Sequence, residues 1–128
     1  MTIRIVRLGS PRAAGEGTRL GTVRRPPRGV PRRDFARRDF YDVWFPVLAP
    51  SLSTMKMGQD VESDKQWKAF ARKYRAEMTA PAASQSLDVL AALSRHANFS
   101  VGCYCENEQR CHRSLLRELL VARGADVR

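Results

Sequence analysis

Cys103, Cys105, Arg110, Cys111, His112 and Arg113 fall within one stretch of eleven residues that holds every cysteine of the chain and one of its two histidines. A thiol becomes a nucleophile only as its thiolate, and a helix N-terminus, a histidine and arginines each favour that form. The unpaired N–H groups of a first helical turn also receive oxyanions, so nucleophile and anion cradle could come from one turn of chain. Cys111, flanked by Arg110, His112 and Arg113, is the expected reactive thiol, with His112 as acid or base and the arginines on the anion.

Three readings of these side chains compete. The first is a thiolate-centred catalytic site built on Cys111 or Cys105. The second is structural zinc, for which three cysteines and a histidine are a legitimate donor set. However, Cys103 and Cys105 are one residue apart and Cys111 and His112 are adjacent, which departs from the usual Cys-x2-4-Cys knuckles. No metal and no cofactor is therefore expected. The third reading is that Cys103 and Cys105 are core residues, since free cysteine packs as a small hydrophobe.

The elements that must position the stretch can be read from periodicity. Phe99, Val101, Cys103 and Cys105 alternate with Ser100, Gly102 and Tyr104, which predicts a strand over 99–105 with both cysteines on one face. Beyond a polar turn, Cys111, Leu115 and Leu119 recur at intervals of four, as do His112, Leu116 and Leu120. That spacing predicts a helix, stopped by Gly124. A loop at the carboxyl end of such a strand is where open α/β sheets bind ligands.

Further strands are predicted at 3–8, expected to be central, at 20–24 and at 41–48, where Pro46 argues against a central position. The segment 34–40 reads as a turn or two of helix and 51–62 as a polar loop. Ser63 and Gln66 form a capping box for a helix that buries Trp67, Phe70, Ala71, Tyr74 and Met78. A second helix after Pro81, capped by Ser84 or Ser86, buries Leu87, Leu90 and Leu93. The architecture is thus a single α/β domain over 1–128, a mainly parallel, Rossmann-like sheet with packed helices.

Gly102-Cys-Tyr-Cys-Glu106 followed by Arg110-Cys-His-Arg-Ser-Leu-Leu116 resembles the signature of the domain-of-unknown-function family 488, in its YeaO-like group. The resemblance runs upstream through Gly17-Thr-Arg19, Pro27-Arg28-Gly29, Trp44, Leu48-Ala-Pro-Ser51 and the Trp67 to Glu77 helix. It implies a small cytoplasmic α/β protein whose Cys and His-Arg residues are catalytic. Many members of the family carry an acidic residue where this chain has Cys105. The substrate-binding set expected beside Cys103, Cys105, Cys111, His112 and Arg113 is Arg19, Arg28, Arg110, Ser114 and Trp44. Of these, Arg19 and Arg28 should approach the Cys111 loop, because an anion there needs more charge than Arg110 and Arg113 supply.

Charge and composition bound the partner. At 128 residues the chain suits one core. The net charge of +10 is concentrated at the N-terminal end, where residues 1–40 hold eleven Arg against three acids. Guanidinium binds phosphate and carboxylate bidentately; the plainer alternative is a solvated face. Three cysteines and no signal-like N-terminal run point to a reduced, cytoplasmic location, and no apolar stretch is long enough for a membrane span. The expected partner is an anionic small molecule or a nucleic acid. The expected function is a small thiol-dependent transferase or hydrolase, and the alternative is a non-catalytic nucleic-acid-binding module with structural or zinc-bound cysteines.

Overall fold

The computed structural model describes residues 1–128. Its strands are β1 (Ile3–Arg7), β2 (Thr18–Gly21), β3 (Val43–Trp44) and β4 (Phe99–Cys103), and its α-helices are α1 (Leu52–Gln59), α2 (Asp64–Glu77), α3 (Pro81–Leu93) and α4 (His112–Ala122). The four strands form one sheet in the order β1-β4-β2-β3. Every pairing is parallel. The architecture is a single Rossmann-like α/β domain, as expected.

β4 is the buried centre. It is paired along its whole length with β1 and on its other side with β2, and all five of its residues are buried. The expectation of a central β1 is corrected: β1 is an outer strand, joined on its far side only by a bridge from Ile3 to Val127. Two pairing partners are available only to a strand that enters between two others, and the late β4 does so. β3 has just two residues and lies at the edge, in keeping with Pro46, after which the chain takes a 3-10 turn.

Phe99 and Val101 point into a core with Ile3, Leu48, Phe70, Tyr74, Leu87, Leu116 and Leu120, to which α2, α3 and α4 contribute their apolar faces. α2 opens on the Ser63–Gln66 capping box. α3 begins at Pro81 in its first turn, earlier than a Ser84 or Ser86 cap would place it. Proline suits that position because its missing N–H would be unpaired there anyway. The segment 51–62 is not a loop: it contains α1. The Ser51 side chain caps Thr54 N, and Glu77 accepts from Ser51 N (2.9 Å), Ser51 Oγ (2.6 Å) and Thr54 Oγ1 (2.7 Å). A carboxylate from another helix thus stabilises a segment with little amphipathic signal of its own. At 34–40 a single 3-10 turn over Arg32–Asp34 replaces the expected helix.

The opposite sheet face is held by charge. Arg19 lies opposite Ser100 in the register of β2 and β4 and is fully buried, at 0% exposure. Its Nε and Nη2 donate to Glu16 Oε2 and Oε1 at 2.8 and 3.0 Å, and its Nη1 donates to the carbonyls of Ser10 and Asp39 at 2.8 and 2.7 Å. Ser100 Oγ donates to Glu16 Oε2 at 2.6 Å. Arg19 is therefore a structural residue that ties two loops to the central strand, which corrects the expectation that it binds substrate. Gly17 makes the approach possible: its φ is +80°, and a Cβ there would stand 1.9 Å from the Asn98 carbonyl oxygen.

Replacing Glu16 by Gln leaves Arg19 buried without its counter-charge, and a loss of about 3 kcal/mol is expected in urea unfolding. Burial by itself would raise the Glu16 carboxyl, but hydrogen bonds from Arg19 and Ser100 outweigh it and hold the group down to about 2, from an ordinary 4.5. The stability it contributes is present above pH 4.5 and is lost as pH falls through about 2. The Gln variant should show a shallower loss of stability over that window.

Candidate thiolate site at the carboxyl end of the sheet

β4 ends at Cys103, and the chain turns through Tyr104 and Cys105 into a 3-10 turn at Glu108–Arg110 before Cys111 caps α4. The loop is tied at several points. Arg113 donates to the Cys105 carbonyl at 2.6 Å, Arg7 donates to the Tyr104 carbonyl at 3.3 Å, and Arg117 forks onto both carboxylate oxygens of Glu108 at 3.0 Å. Asn107 accepts from Gln109 N at 3.0 Å. These bonds place the loop at the strand ends, where a parallel sheet presents its ligand crevice.

Two of the three thiols are inside. Cys103 and Cys111 are both 2% exposed, and their sulfurs lie 2.7 Å apart. Cys111 occupies the N-cap with an extended backbone (φ −133°, ψ 153°), which turns its side chain off the helix and toward the end of β4. Cys105 lies past the last ladder pair of β4 and is exposed. The expectation that Cys103 and Cys105 share a strand face is therefore corrected, because the strand ends before its period reaches Cys105.

His112 is buried beside this pair. Its Nε2 lies 2.8 Å from the Thr22 carbonyl oxygen and its Nδ1 lies 3.7 Å from Cys111 Sγ. A carbonyl can only accept, so Nε2 carries the proton and Nδ1 presents a lone pair to the Cys111 thiol. Burial pushes the imidazole down to about 4, against the smaller opposing effect of the Thr22 bond, and His112 is neutral at pH 7. It can receive a proton from Cys111, but it brings no standing positive charge.

Burial separates the three thiols, with Cys105 exposed and Cys103 and Cys111 inside. The neighbouring Cys103 and Cys111 thiols, and after them the Arg113 guanidinium, favour the charged form of Cys105 and lower it below the usual thiol range. Cys103 is raised by the neighbouring Cys105 and Cys111 thiols and by its burial. Cys111 is lowered by its contact with Cys103, but the neighbouring Cys105 and burial outweigh this and leave it raised. For Cys111 the helix N-terminus does not compensate for desolvation of the sulfur, whereas Cys105 is the exposed thiol of the three. Arg113, itself buried, has an Nε with no hydrogen-bond partner.

A cavity of about 730 Å³ opens over these groups. Cys105, Tyr104, His112 and Arg110 line it from the strand-end loop and α4, and Arg25 and Arg28 line it from the loop after β2. The approach of Arg28 to Cys111 across some 80 residues is as expected, since both line this cavity. The arginines on its wall differ in what they can offer. Arg24 is committed to the carbonyls of Pro46, Ala49 and Pro50 at 3.1–3.3 Å. Arg110 pairs with Asp64 at 2.6 Å and lies over the Trp67 ring. Arg25 and Arg28, on either side of Pro26-Pro27, have no carboxylate partner. Trp44 and Ser114 do not line the cavity. Trp44 is 44% exposed, with its indole donating to the Val23 carbonyl at 2.8 Å, and Ser114 Oγ donates to the Cys111 carbonyl at 3.0 Å.

Cys103, Cys111 and His112 bring three donor atoms within 4.8 Å of one another. Two thiolates on one tetrahedral zinc, each about 2.3 Å from the ion, would stand roughly 3.8 Å apart. At 2.7 Å the Cys103 and Cys111 sulfurs stand closer together than that.

Alkylation of the native protein with iodoacetamide at pH 6, read by peptide mass spectrometry, should label Cys105 well ahead of Cys103 and Cys111. Its rate should stay flat from pH 6 to 8, where an unperturbed thiol accelerates about tenfold per pH unit.

No curated protein and no solved structure matches the chain. The model for DUF488-N3a, described as the active DUF488-N3 subclade, matches residues 3–124. With the match running across nearly the whole chain, from β1 through α4, the protein belongs to the domain-of-unknown-function family 488.

Proposed function

We propose that the protein is a small thiol-dependent enzyme acting on a phosphate-bearing substrate, with Cys105 as nucleophile and Arg25 and Arg28 as the anion-binding groups. The observation that carries this reading is the juxtaposition of an exposed cysteine, favoured as thiolate, with two carboxylate-free guanidinium groups on the wall of the same cavity. The subclade's description as active agrees with it. A thiolate and a bound oxyanion repel unless cations stand between them, and the arginines of the Pro26-Pro27 loop supply that charge. Proline restricts the loop backbone, so less freedom is lost when the anion binds.

In this reading Cys105 attacks an electrophilic centre of the substrate whose phosphate is held by Arg25 and Arg28, and Arg110 flanks the opposite rim. Tyr104 and Phe40 give the cavity an apolar wall for the remainder of the substrate, which suits a nucleotide or a nucleic-acid end. His112 maintains the charge distribution: neutral and fixed on Thr22, it keeps Cys111 hydrogen-bonded and the negative charge on Cys105. Cytoplasmic residence belongs to the same reading. No helix is long and apolar enough to cross a membrane.

Inorganic phosphate or a nucleoside monophosphate should protect Cys105 from iodoacetamide in a saturable manner. Arg28→Ala should weaken that protection about tenfold, and the Arg25→Ala/Arg28→Ala pair by a further factor of about ten, as for loss of charge-assisted contacts of 1.5–3 kcal/mol each. Protection that is lost in salt, indifferent to Arg28 and equal for any polyanion would instead favour a non-catalytic nucleic-acid-binding surface.

A further inference from the structure

We propose that Cys103 and Cys111 form a resolving dithiol behind Cys105, so that the three cysteines act as a two-electron relay that rescues Cys105 after oxidation by a peroxide. The proposal rests on the reading of Cys105 as the thiolate of the site, and concerns what the two buried sulfurs do for it. Those sulfurs are otherwise unexplained. A neutral pair of core cysteines has no packing reason to bring its sulfurs to 2.7 Å, and the proposed chemistry uses neither as its nucleophile.

The geometry orders the steps. Only Cys105 is exposed, so a peroxide meets it first. The Cys105 thiolate attacks one oxygen of hydrogen peroxide: an S–O bond forms, the O–O bond breaks, and the departing hydroxide takes a proton from solvent to give water and a sulfenic acid. Cys111 then attacks the Cys105 sulfur, its proton passing to His112 Nδ1, 3.7 Å away. An S–S bond forms, the S–O bond breaks, and the leaving hydroxide receives that proton as a second water.

Cys103, in contact with Cys111, next attacks the Cys111 sulfur. The disulfide moves inward, the Cys105 thiolate departs, and the Cys103 proton returns to solvent. Two thiols and one peroxide have become one disulfide and two waters. The last exchange is favoured because the best thiolate of the three is the best leaving group. Closing Cys103 to Cys111 needs their sulfurs to move together by only about 0.7 Å to reach a bond length near 2.05 Å. An external dithiol restores the starting state by exchange.

The test is to treat reduced protein with one equivalent of hydrogen peroxide, alkylate after denaturation, and map the peptides without reduction. Trypsin leaves Cys103 and Cys105 together on the peptide ending at Arg110 and Cys111 on Cys111–Arg113. The expected product is these two peptides joined by a disulfide, with the alkyl group on Cys105. Sulfinic acid on Cys105 with both buried thiols alkylated would overturn the proposal, and so would a terminal Cys105–Cys111 link with Cys103 alkylated.

Cys105→Ser changes an exposed side chain and should slow formation of the Cys103–Cys111 disulfide about tenfold or more, because the protonated buried thiols react poorly. An unchanged rate would show that peroxide reaches the pair directly and would also overturn the relay. Failure of the enzymatic reading is separable, since it would appear in untreated protein as unprotected Cys105 in the presence of phosphate.

Discussion

The buried pair of Glu16 and Arg19 is the constraint on which the remaining structure depends. An ionised guanidinium inside a domain is tolerated only when its donors are matched, and here five hydrogen bonds, four from Arg19 and one from Ser100, close the network. Its partners come from four places in the chain: the loop after β1, the segment before β2, the turn before β3, and the centre of β4. One side chain thereby aligns the loops that cover one sheet face with the strand that carries the site. The alignment fixes how far β2 reaches, and Thr22, just past its end, bonds the Gly102 carbonyl through both N (3.0 Å) and Oγ1 (3.0 Å). The Thr22 carbonyl then receives His112. A line of hydrogen bonds runs from the buried ion pair to the thiols.

At the far end of that line, burial sorts three chemically identical groups into different roles. Cys103 belongs to the sheet, Cys111 to the helix cap, and Cys105 to neither. Desolvation disfavours charge on the first two, and Cys105 is the sulfur in contact with solvent. The helix N-terminus and the flanking arginines still contribute, but they act on a cluster of sulfurs rather than on one residue. Local electrostatics favour a thiolate in this region; solvation decides which sulfur carries it.

The cavity follows from the same topology. Parallel strands place the loops after β2 and β4 at one sheet end, and Met55, Gly58 and Gln59 of α1 with Phe70 of α2 complete the lining. α1 itself depends on Glu77 reaching back from the end of α2 to Ser51 and Thr54, where the hydrogen bonds outweigh the effect of burial and keep the carboxylate ionised. Gly58 of α1 sits so close to the Phe70 ring that a Cβ there would come to 2.8 Å. That part of the wall is therefore a packed helix pair.

The sequence by itself determined the elements with strong local signals: the β-branched β1, the alternating β4, the capping box and aromatic stripe of α2, and the apolar stripe of α4 with its terminal Gly124. It also placed Cys103, Cys105, Cys111, His112 and Arg113 in one neighbourhood, since adjacency in the chain guarantees that much. Arg28 was legible as well, from the stiff loop that presents it. What only the tertiary structure decided depends on partners remote in the chain. Arg19 and Arg28 are the same residue type in the same basic block, and only the position of Glu16 and the register with Ser100 bury one and leave the other facing the cavity. α1 was hidden because its cap is completed by Glu77. Which thiol is exposed was hidden for the same reason: desolvation and neighbours are properties of the packed chain rather than of the residues in order.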